Sequence, residues 1–496
     1  MKKIILIGIL FFYAVLISTN TNGYSPLDDT KALLSFEDGQ LPSQPRDNGR
    51  FIFTQGLDLF LLEKVNPMKG SSTIDYIWFA FIFILTATFF YKTIKSYDLN
   101  IVIWLSILIL IMFSPAFTSI YFRLLYQEKY SLLWFVLLSY QFINLDYKNN
   151  ILKLVSIIIL AFLLIFTKEP GIVAMLFLSI GLFLKYVKDK IYKDFLLGFV
   201  LFLISCFVII SYFLYTKTIK HRYGDTEMSF MLNLVKSIGE WTIADPVLFL
   251  VFLPLFGHRI YLVARKRESI DYADILAFSG IGYMFSFLIS GMYYGEHYMT
   301  PVYGVALIFI GIRLRDFEFS KKLKLVVVLI ILLQVSNSII GINDIIFQKY
   351  NNRNFKNSIL FLKKIKNSNV DSVYISGGVH WDTHFKYTFQ YWMDKESIDM
   401  KLINIDTMNT HIGMKVNFLI TPYSSKRIDI PTYFKIGAPG GLGKGYVLED
   451  IVRNIVVEYN LKSFDKSNTL IIRSSGIMVA EYSFHSLEGY KRLVSN

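Results

Sequence analysis

Long apolar runs alternate with short polar segments along the first two thirds of the chain. A bilayer core about 30 Å thick needs roughly 20 apolar residues per helix, and fewer where aromatic residues and lysines anchor the ends. Several runs are short, so the pattern predicts about eleven membrane-spanning helices. The predicted spans are Ile4–Thr19, Ile77–Tyr91, Ile101–Phe117, Tyr130–Ile143, Ile151–Phe166, Gly171–Leu184, Phe195–Leu214, Val247–Val263, Ile275–Ile289, Val302–Ile312 and Leu325–Ile340.

The pattern changes after Ile340, where the apolar runs become too short to span a membrane. A helix with lysines on one face is predicted over Phe355–Asn367, and short β-rich runs bounded by Gly, Asn, Asp and Ser predict strands. We therefore expect a membrane domain over residues 1–344, with a long first external loop at 20–75, and a small α/β domain over 345–496. The predicted strands are Ser372–Ser376, Lys401–Ile405, Val416–Ile420, Ile455–Tyr459 and Leu470–Arg473.

The composition agrees with a multi-span α-helical membrane protein. Hydrophobic residues make up 54% of the chain and charged residues 18%, against roughly 25% charged residues in soluble domains. This excludes an ordinary soluble protein, and it also excludes a disordered chain, which needs more polar residues. A single cysteine, Cys206, excludes a disulfide framework or a cysteine-based metal site.

The net charge of +13 is a topology signal rather than a sign of nucleic-acid binding. Lysine and arginine gather in alternate loops, and loops rich in these residues stay cytoplasmic. The pattern predicts a cytoplasmic N-terminus and an external, periplasmic C-terminal domain in a bacterial inner membrane, with the lipid bilayer as partner. The basic loops hold Lys2, Lys3, Lys92, Lys95, Lys148, Lys185, Lys188, Lys190, Lys193, Arg265, Lys266, Arg267, Arg313, Arg315, Lys321, Lys322 and Lys324.

The first apolar run could also be a cleaved signal peptide, because Lys2 and Lys3 precede a short hydrophobic stretch. The sequence Ser18-Thr19-Asn20 that follows has no A-x-A cleavage pattern. We therefore expect an uncleaved membrane anchor.

The first external loop carries the leading catalytic candidates, Asp28 and Asp29. Adjacent carboxylates raise one another's pKa, so the pair can supply a general base or hold a divalent cation such as Mg or Mn. The alternative is a helix N-cap, since Pro26 and Asp28 precede Thr30–Leu34 in a way that suits a helix start. Which of the two carboxylates is the base stays open, as does the need for a metal.

Further charged residues lie at the predicted external ends of spans. Ionisable groups at membrane depth are costly and are therefore functional candidates. The alternative is structural: Glu128 would pair with Arg123 or Lys129, Glu169 would pair with Lys168, and His297 would be an interface residue. The candidate substrate-binding residues of these segments are Arg123, Glu128, Lys168, Glu169, Glu296 and His297.

Two motifs in the C-terminal part do not carry chemistry. Gly437–Gly445 imitates a phosphate loop, but Gly445 replaces the Ser or Thr that would hold Mg²⁺. His380 and His384 are spaced for a metal on a helix, but no third ligand is identifiable. We expect a surface loop and a structural or carbohydrate-contacting role, respectively.

Taken together, these segments resemble the GT-C superfamily of polytopic glycosyltransferases. The likeness rests on an acidic pair in the first external loop, an Arg- and Glu-containing segment before a span, the turn Lys168–Gly171 and the His297–Pro301 segment. Asp47–Phe51, which includes Arg50, is similar to the family's "-GR-" element. The resemblance covers about residues 1–340 and implies a polyprenyl-phosphate-linked sugar donor, a glycan acceptor, and Arg50 among the substrate-binding residues.

The external C-terminal domain makes the architecture similar to O-antigen glucosyltransferases, which favours glucose as the sugar. A lipid-linked O-antigen polymerase is a second hypothesis, but such enzymes are expected to carry their main loop later in the chain. A flippase or transporter is the weaker alternative, since transporters place ionisable residues at mid-membrane and the predicted spans are nearly free of charge.

Overall fold

The computed structural model describes residues 2–20, 57–65, 72–143, 145, 151–216, 230–265, 268–289, 295, 297–315, 321–365, 372–375, 386–404, 419–420, 425–427, 471–476 and 479–484. The candidates Asp28, Asp29, Arg50 and Glu296 lie outside these residues, as do His380, His384 and Gly437–Gly445. Helices dominate the first 365 residues. They are α1 Lys2–Ser18, α2 Leu57–Val65, α3 Thr73–Ser96, α4 Ile101–Met112, α5 Pro115–Phe122, α6 Glu128–Ile143, α7 Ile151–Thr167, α8 Pro170–Asp189, α9 Tyr192–Thr216, α10 Phe230–Ala244, a π-helical turn Leu248–Phe252, α11 Leu253–Arg265, α12 Tyr272–Ile289, a 3₁₀ turn Thr300–Val302, α13 Tyr303–Leu314 and α14 Lys321–Ile365.

The helices have the length and surface of a membrane protein. Within the described ranges, five are long and apolar enough to cross a bilayer, a bent pair would make a sixth, and three apolar helices are shorter. Large apolar side chains stay exposed on them, such as Leu152 at 80% and Phe207 at 72%. Exposed apolar surface of this extent marks contact with lipid or a partner. The chain is a helical membrane protein, and the number of eleven spans stays a prediction.

The predicted span Ile101–Phe117 is wrong as a single helix. Helices α4 and α5 meet at an angle of 70° around Phe113 and Ser114. Pro115 lacks an N–H and pushes the preceding residue out of the helical region, and Ser114 accordingly has ψ 158°. The apolar content continues through the break, which is why the hydrophobic pattern did not indicate it.

Helix α14 packs closely against this break. A Cβ on Gly341 would lie 1.9 Å from the carbonyl oxygen of Phe113, so only glycine permits the contact. One turn away, Ser338 Oγ donates to the carbonyl of Leu110 at 2.6 Å, and Asn337 Nδ2 donates to the carbonyls of Ile243 and Ala244. These side chains satisfy carbonyls that the ends of α4 and α10 leave without a helical partner.

Two helices lie where the hydrophobic pattern predicted only loops. Helix α10 lies in the segment before the eighth predicted span, and α2 lies in the first external loop. Both are shorter than a membrane span. The correction matters for function, because α2 contacts the residues next to Glu128.

Four short strands of the C-terminal part lie at predicted positions, near residues 372, 401, 419 and 471, whereas the strands Ser425–Arg427 and Val479–Phe484 were not predicted. Strand β1 pairs in parallel with β2 and β3, and β6 pairs antiparallel with β4 and β5. The run Ile455–Tyr459 lies outside the described residues. The predicted helix at Phe355–Asn367 forms the end of α14. The strands are β1 Ser372–Ile375, β2 Lys401–Asn404, β3 Leu419–Ile420, β4 Ser425–Arg427, β5 Ile471–Gly476 and β6 Val479–Phe484, with α15 Lys386–Lys395 between β1 and β2.

A buried ionic network, which we call the Arg259 network, joins α11, α12 and α13 at one end of the bundle. Arg259 Nε donates to both carboxylate oxygens of Asp274 at 3.0 and 3.1 Å. Arg313 donates to Asp274 and, at 2.8 Å, to Asp271, while Arg259 also pairs with Glu268. Five charged groups therefore meet at this end: Arg259, Asp274 and Arg313 from the three helices, and Glu268 and Asp271 from the segment that precedes α12.

Candidate functional site

The opposite end of the bundle brings together four of the predicted site residues. Glu128 begins helix α6 and its side chain is completely buried. Lys168, in the turn between α7 and α8, forms an ion pair with Glu128 Oε1. His297 Nε2 lies 3.6 Å from the same oxygen. The residues Arg123, Tyr126, Glu128, Lys168 and His297 form what we call the Glu128 cluster.

Aromatic rings contact the basic residues of the cluster. The rings of Tyr126 and His297 stack with centroids 3.9 Å apart and an interplanar angle of 10°. Arg123 donates to the Tyr126 hydroxyl at 2.8 Å, and Lys168 Nζ lies 4.9 Å above the Tyr298 ring. Contacts of this kind stabilise partly desolvated cations. Lys168 and His297 are thereby held at one carboxylate, and Arg123 is joined to His297 through Tyr126.

The contacts that the structure shows for these residues reach beyond their sequence neighbours. Lys168 forms an ion pair with Glu128, 40 residues away. Lys129 Nζ donates to the carbonyls of Leu124 and Tyr126 at 3.1 and 2.6 Å. Glu169 occupies the N-cap position of α8 and lies within electrostatic range of Tyr283.

The surroundings of Glu128 favour a carboxylate, but they do not use all of its capacity to accept hydrogen bonds. A negative side chain is favoured in the first turn of a helix, where the backbone dipole is positive. Oε1 faces Lys168 and His297, whereas Oε2 has no hydrogen-bond partner among the described residues although it is fully buried. A buried carboxylate oxygen without a partner is costly. Oε2 can therefore accept a hydrogen bond from a further donor, such as a hydroxyl group or water.

The compact turn at Lys168 is enforced by close packing. A Cβ on Gly171 would lie 2.2 Å from the carbonyl oxygen of Leu164, so the backbones of α7 and α8 meet where no other residue fits. Pro170 follows the N-cap and suits the first turn of α8. The Lys168–Gly171 sequence thus fixes the backbone of the turn, and with it the direction of the Lys168 side chain.

The segment between Asn20 and Asp58 is fixed beside the cluster at both of its ends. Asn20 is buried and its Nδ2 donates to the carbonyl of Phe122 at 3.3 Å. At the other end, the Tyr130 hydroxyl donates to Asp58 in α2, and Gln127 Nε2 lies 3.5 Å from the same carboxylate. The segment that carries Asp28, Asp29 and Arg50 therefore starts next to Arg123 and returns next to Glu128.

Asp58 was missed in the sequence because the loop was treated as irregular. The apolar run Leu57–Val65 with one acidic residue near its start was the available signal. Trp78 completes this contact, since its Nε1 donates to the Tyr130 hydroxyl at 2.7 Å. Nothing in the sequence indicated that Tyr130 and Asp58, 72 residues apart, would meet.

A second buried carboxyl group lies deeper between the helices. Asp245 follows α10, and its Oδ1 accepts a hydrogen bond from the Tyr303 hydroxyl at 2.9 Å. Burial raises the pKa of Asp245 to about 7, and the Tyr303 hydrogen bond opposes this shift.

The described residues contain no group of three or more His, Cys, Asp or Glu side chains that could hold a metal ion. Asp28 and Asp29, the predicted metal candidates, are outside that part of the chain. No protein-family model matches the sequence, and no curated protein matches it either.

Proposed function

We propose that this protein is an integral membrane glycosyltransferase that moves a sugar, with glucose favoured, from a polyprenyl-phosphate carrier to a surface glycan such as O-antigen on the external face of the cytoplasmic membrane. The observation that carries the proposal is the meeting of three segments, Arg123–Glu128, Lys168–Gly171 and the stretch around His297, in one charged cluster at one end of apolar helices. The first external loop is fixed beside the same cluster.

The charges of the cluster suit a lipid phosphate. Lys168 and His297 offer cationic or hydrogen-bonding groups at a single buried carboxylate, and Arg123 contacts Tyr126, whose ring stacks on His297. Cationic groups held in place before the reaction stabilise the negative charge that develops on a departing phosphate. The position at the helix ends is where a lipid-anchored phosphate would meet the protein.

In the proposed reaction, an acceptor hydroxyl oxygen bonds to the anomeric carbon of the sugar while the bond from that carbon to the phosphate oxygen breaks. The electron pair stays on the leaving polyprenyl phosphate, next to Lys168 and Arg123. The hydroxyl proton passes to a general base, for which we propose Asp28 or Asp29. The products are the extended glycan and the polyprenyl phosphate.

The Arg259 network supports an enzyme over a transporter. It joins α11, α12 and α13 at the end opposite to the Glu128 cluster, and the 16 residues from Pro170 to Lys185 of α8 separate the two ends by about 24 Å. Alternating access would have to open this end, where the ion pairs of Arg259 and Arg313 with Asp274 join the three helices. An enzyme that is open on one face needs no such step.

The test is sugar transfer by purified protein in proteoliposomes. A radiolabelled polyprenyl-phosphate glucose is supplied with surface glycan, and transfer is compared among the wild type, Lys168→Gln and Lys153→Gln. Lys153 lies near the other end of α7 and serves as the matched control. We expect the wild type and Lys153→Gln to transfer sugar and Lys168→Gln to lose most of the rate. Equal transfer by all three would contradict the role of the cluster, and no transfer by any would contradict the proposed function.

A further inference from the structure

Three completely buried side chains in or next to the Glu128 cluster carry oxygens that could form further hydrogen bonds. Glu128, Ser131 and Tyr283 are each 0% exposed. Within the described part of the chain, Glu128 Oε2, Ser131 Oγ and the Tyr283 hydroxyl have no hydrogen-bond partner. Buried polar groups without a partner are costly and rare, so three of them in one region require an explanation. We call these three atoms the three-oxygen site.

The three oxygens come from two helices that pack together. Glu128 and Ser131 are three residues apart in α6, and Phe135 follows after four more, so these side chains share one face of the helix. Tyr283 of α12 packs on that face, with its ring centroid 5.7 Å from that of Phe135. The Tyr283 hydroxyl lies within electrostatic range of Ser131 and Glu169. It is therefore on the side of Phe135 that leads along α6 to Ser131 and Glu128.

The chemistry of the three-oxygen site fits one water molecule. Because all three side chains are completely buried, a larger ligand would have to separate α6 from α12. A carboxylate only accepts hydrogen bonds, whereas a hydroxyl group can donate one and accept others. A water that donates to Glu128 Oε2 and Ser131 Oγ, and accepts from the Tyr283 hydroxyl, satisfies all three oxygens. Buried waters typically make about three such bonds to groups that have no other partner.

A cation fits the three-oxygen site less well than water does. Lys168 forms an ion pair with Glu128 Oε1, and His297 Nε2 lies 3.6 Å from the same oxygen. A cation at Oε2 would be repelled by the ammonium group on the other oxygen of the same carboxylate. Water brings no net charge, so the ion pair of Lys168 with Glu128 stays balanced.

We propose that an ordered water occupies the three-oxygen site, joins α6 to α12 and binds Glu128 Oε2. A carboxylate that is bound at both of its oxygens does not rotate freely. The water therefore fixes the orientation in which Oε1 faces Lys168 and His297. The importance of this orientation for sugar transfer rests on the proposed function; the water site does not.

The water is tested by an experimental density map of the full-length protein in nanodiscs, at a resolution that shows ordered water. We expect a peak within about 3 Å of all three oxygens. The peak should be lost in Tyr283→Phe and kept in Tyr13→Phe, because Tyr13 is an equally buried tyrosine whose hydroxyl donates to the carbonyl of Met112 at 2.8 Å. The proposal is overturned by a wild-type map without the peak, by a direct protein partner at Oε2, or by a peak with about six oxygen ligands, as for a cation.

The joining of α6 and α12 is tested by thermal unfolding of Ser131→Ala, Tyr283→Phe and the double variant. Either single change removes one of the water's partners, so the double variant should lose clearly less in thermal midpoint than the sum of the two single losses. In the control Ser131→Ala/Tyr13→Phe, the two losses should add. Additive losses in Ser131→Ala/Tyr283→Phe would refute the link between the helices. Both measurements are made without donor, so their outcome is independent of the transfer assay.

Discussion

At the scale of single residues, Glu128 is the centre of the proposed site because two basic groups converge on one of its oxygens. Lys168 forms an ion pair with Oε1, and His297 lies 3.6 Å away. A buried carboxylate and a buried ammonium group depend on each other, since removal of one leaves the other desolvated without a counter-charge. Replacement of Glu128 is therefore expected to lower the free energy of unfolding more than replacement of an ordinary polar residue.

We expect Glu128→Gln to lower the free energy of unfolding by about 3–5 kcal/mol, because the largely buried Lys168 loses its ion pair with Glu128. The double variant Glu128→Gln/Lys168→Met removes both charges and should regain part of this loss. Thermal unfolding of the detergent-solubilised protein measures both effects. A double variant less stable than Glu128→Gln alone would show that the two side chains do not act as a pair.

Asp245 predicts a dependence of stability on pH. Its pKa in the folded protein is about 7, above the ordinary value of 3.8, because burial disfavours the ionised form. The unfolded chain releases this proton at lower pH than the folded chain, so stability is complete below about pH 4 and declines as the pH rises towards 7. The shift corresponds to about 4 kcal/mol.

The measurement is the thermal midpoint between pH 5 and pH 8. The wild type should become less stable across this range, whereas Asp245→Asn, which cannot ionise, should show a flatter profile. Parallel profiles for the two proteins would mean that Asp245 does not titrate there.

At the scale of helices, the Arg259 network joins α11, α12 and α13 through ion pairs of differing exposure. Asp274 and Asp271 both contact Arg313, but their side chains are 9% and 45% exposed. Buried ion pairs are costly to break, while exposed pairs contribute little. The two residues therefore provide a matched comparison.

We expect Asp274→Asn to lower the free energy of unfolding by about 3–5 kcal/mol and Asp271→Asn by less than about 1 kcal/mol. Thermal or denaturant unfolding of the two variants in the same detergent gives the comparison. Equal losses would mean that burial does not determine the strength of this network.

The sequence predicted the helices better than it predicted their contacts. Apolar runs and lysine-rich ends indicate spans directly, and the strands β1 and β2 lie where β-rich residues predicted them. The break at Ser114 was missed because the apolar pattern continues through it, although Pro115 was visible. Asp58 and Tyr130 could not be paired, because a hydrogen bond between residues 72 positions apart depends on how the helices pack.

For the site, the sequence indicated which segments carry charge but not how the charges pair. Glu128, Lys168 and His297 were candidates because ionisable groups are rare near membrane helices. Their convergence on one oxygen follows from the turn at Gly171, whose close packing sets the direction of Lys168.

At the scale of the whole molecule, the basic ends of several helices coincide at the end of the bundle that holds the Arg259 network. Lys3 lies over the ring of Tyr91 near the end of α3, and Lys185 donates to the carbonyl of Ile270, next to the network. Basic helix ends face the cytoplasm. This distribution supports the predicted orientation, with the Glu128 cluster outside.

We expect reporter fusions after Lys324 to read as cytoplasmic and fusions after Asn351 to read as external, since α14 carries both positions on either side of one apolar stretch. Paired alkaline phosphatase and fluorescent-protein fusions measure this. A cytoplasmic reading after Asn351 would place the Glu128 cluster on the wrong side for an external lipid-linked donor.

The central claim, external transfer of a sugar from a lipid carrier, is tested most directly by the mass of the surface glycan. A strain that lacks this protein is complemented with the wild type, Asp28→Asn, Asp29→Asn or the double variant, and the glycan is analysed by mass spectrometry. The account predicts that deletion removes one sugar residue, that the wild type restores it, and that at least one single variant restores it about 10²-fold more slowly because the general base is lost. If deletion leaves the mass unchanged, the transferase function is contradicted. If all three variants restore the sugar at the wild-type rate, as helix capping by Asn would allow, the acidic pair is not catalytic.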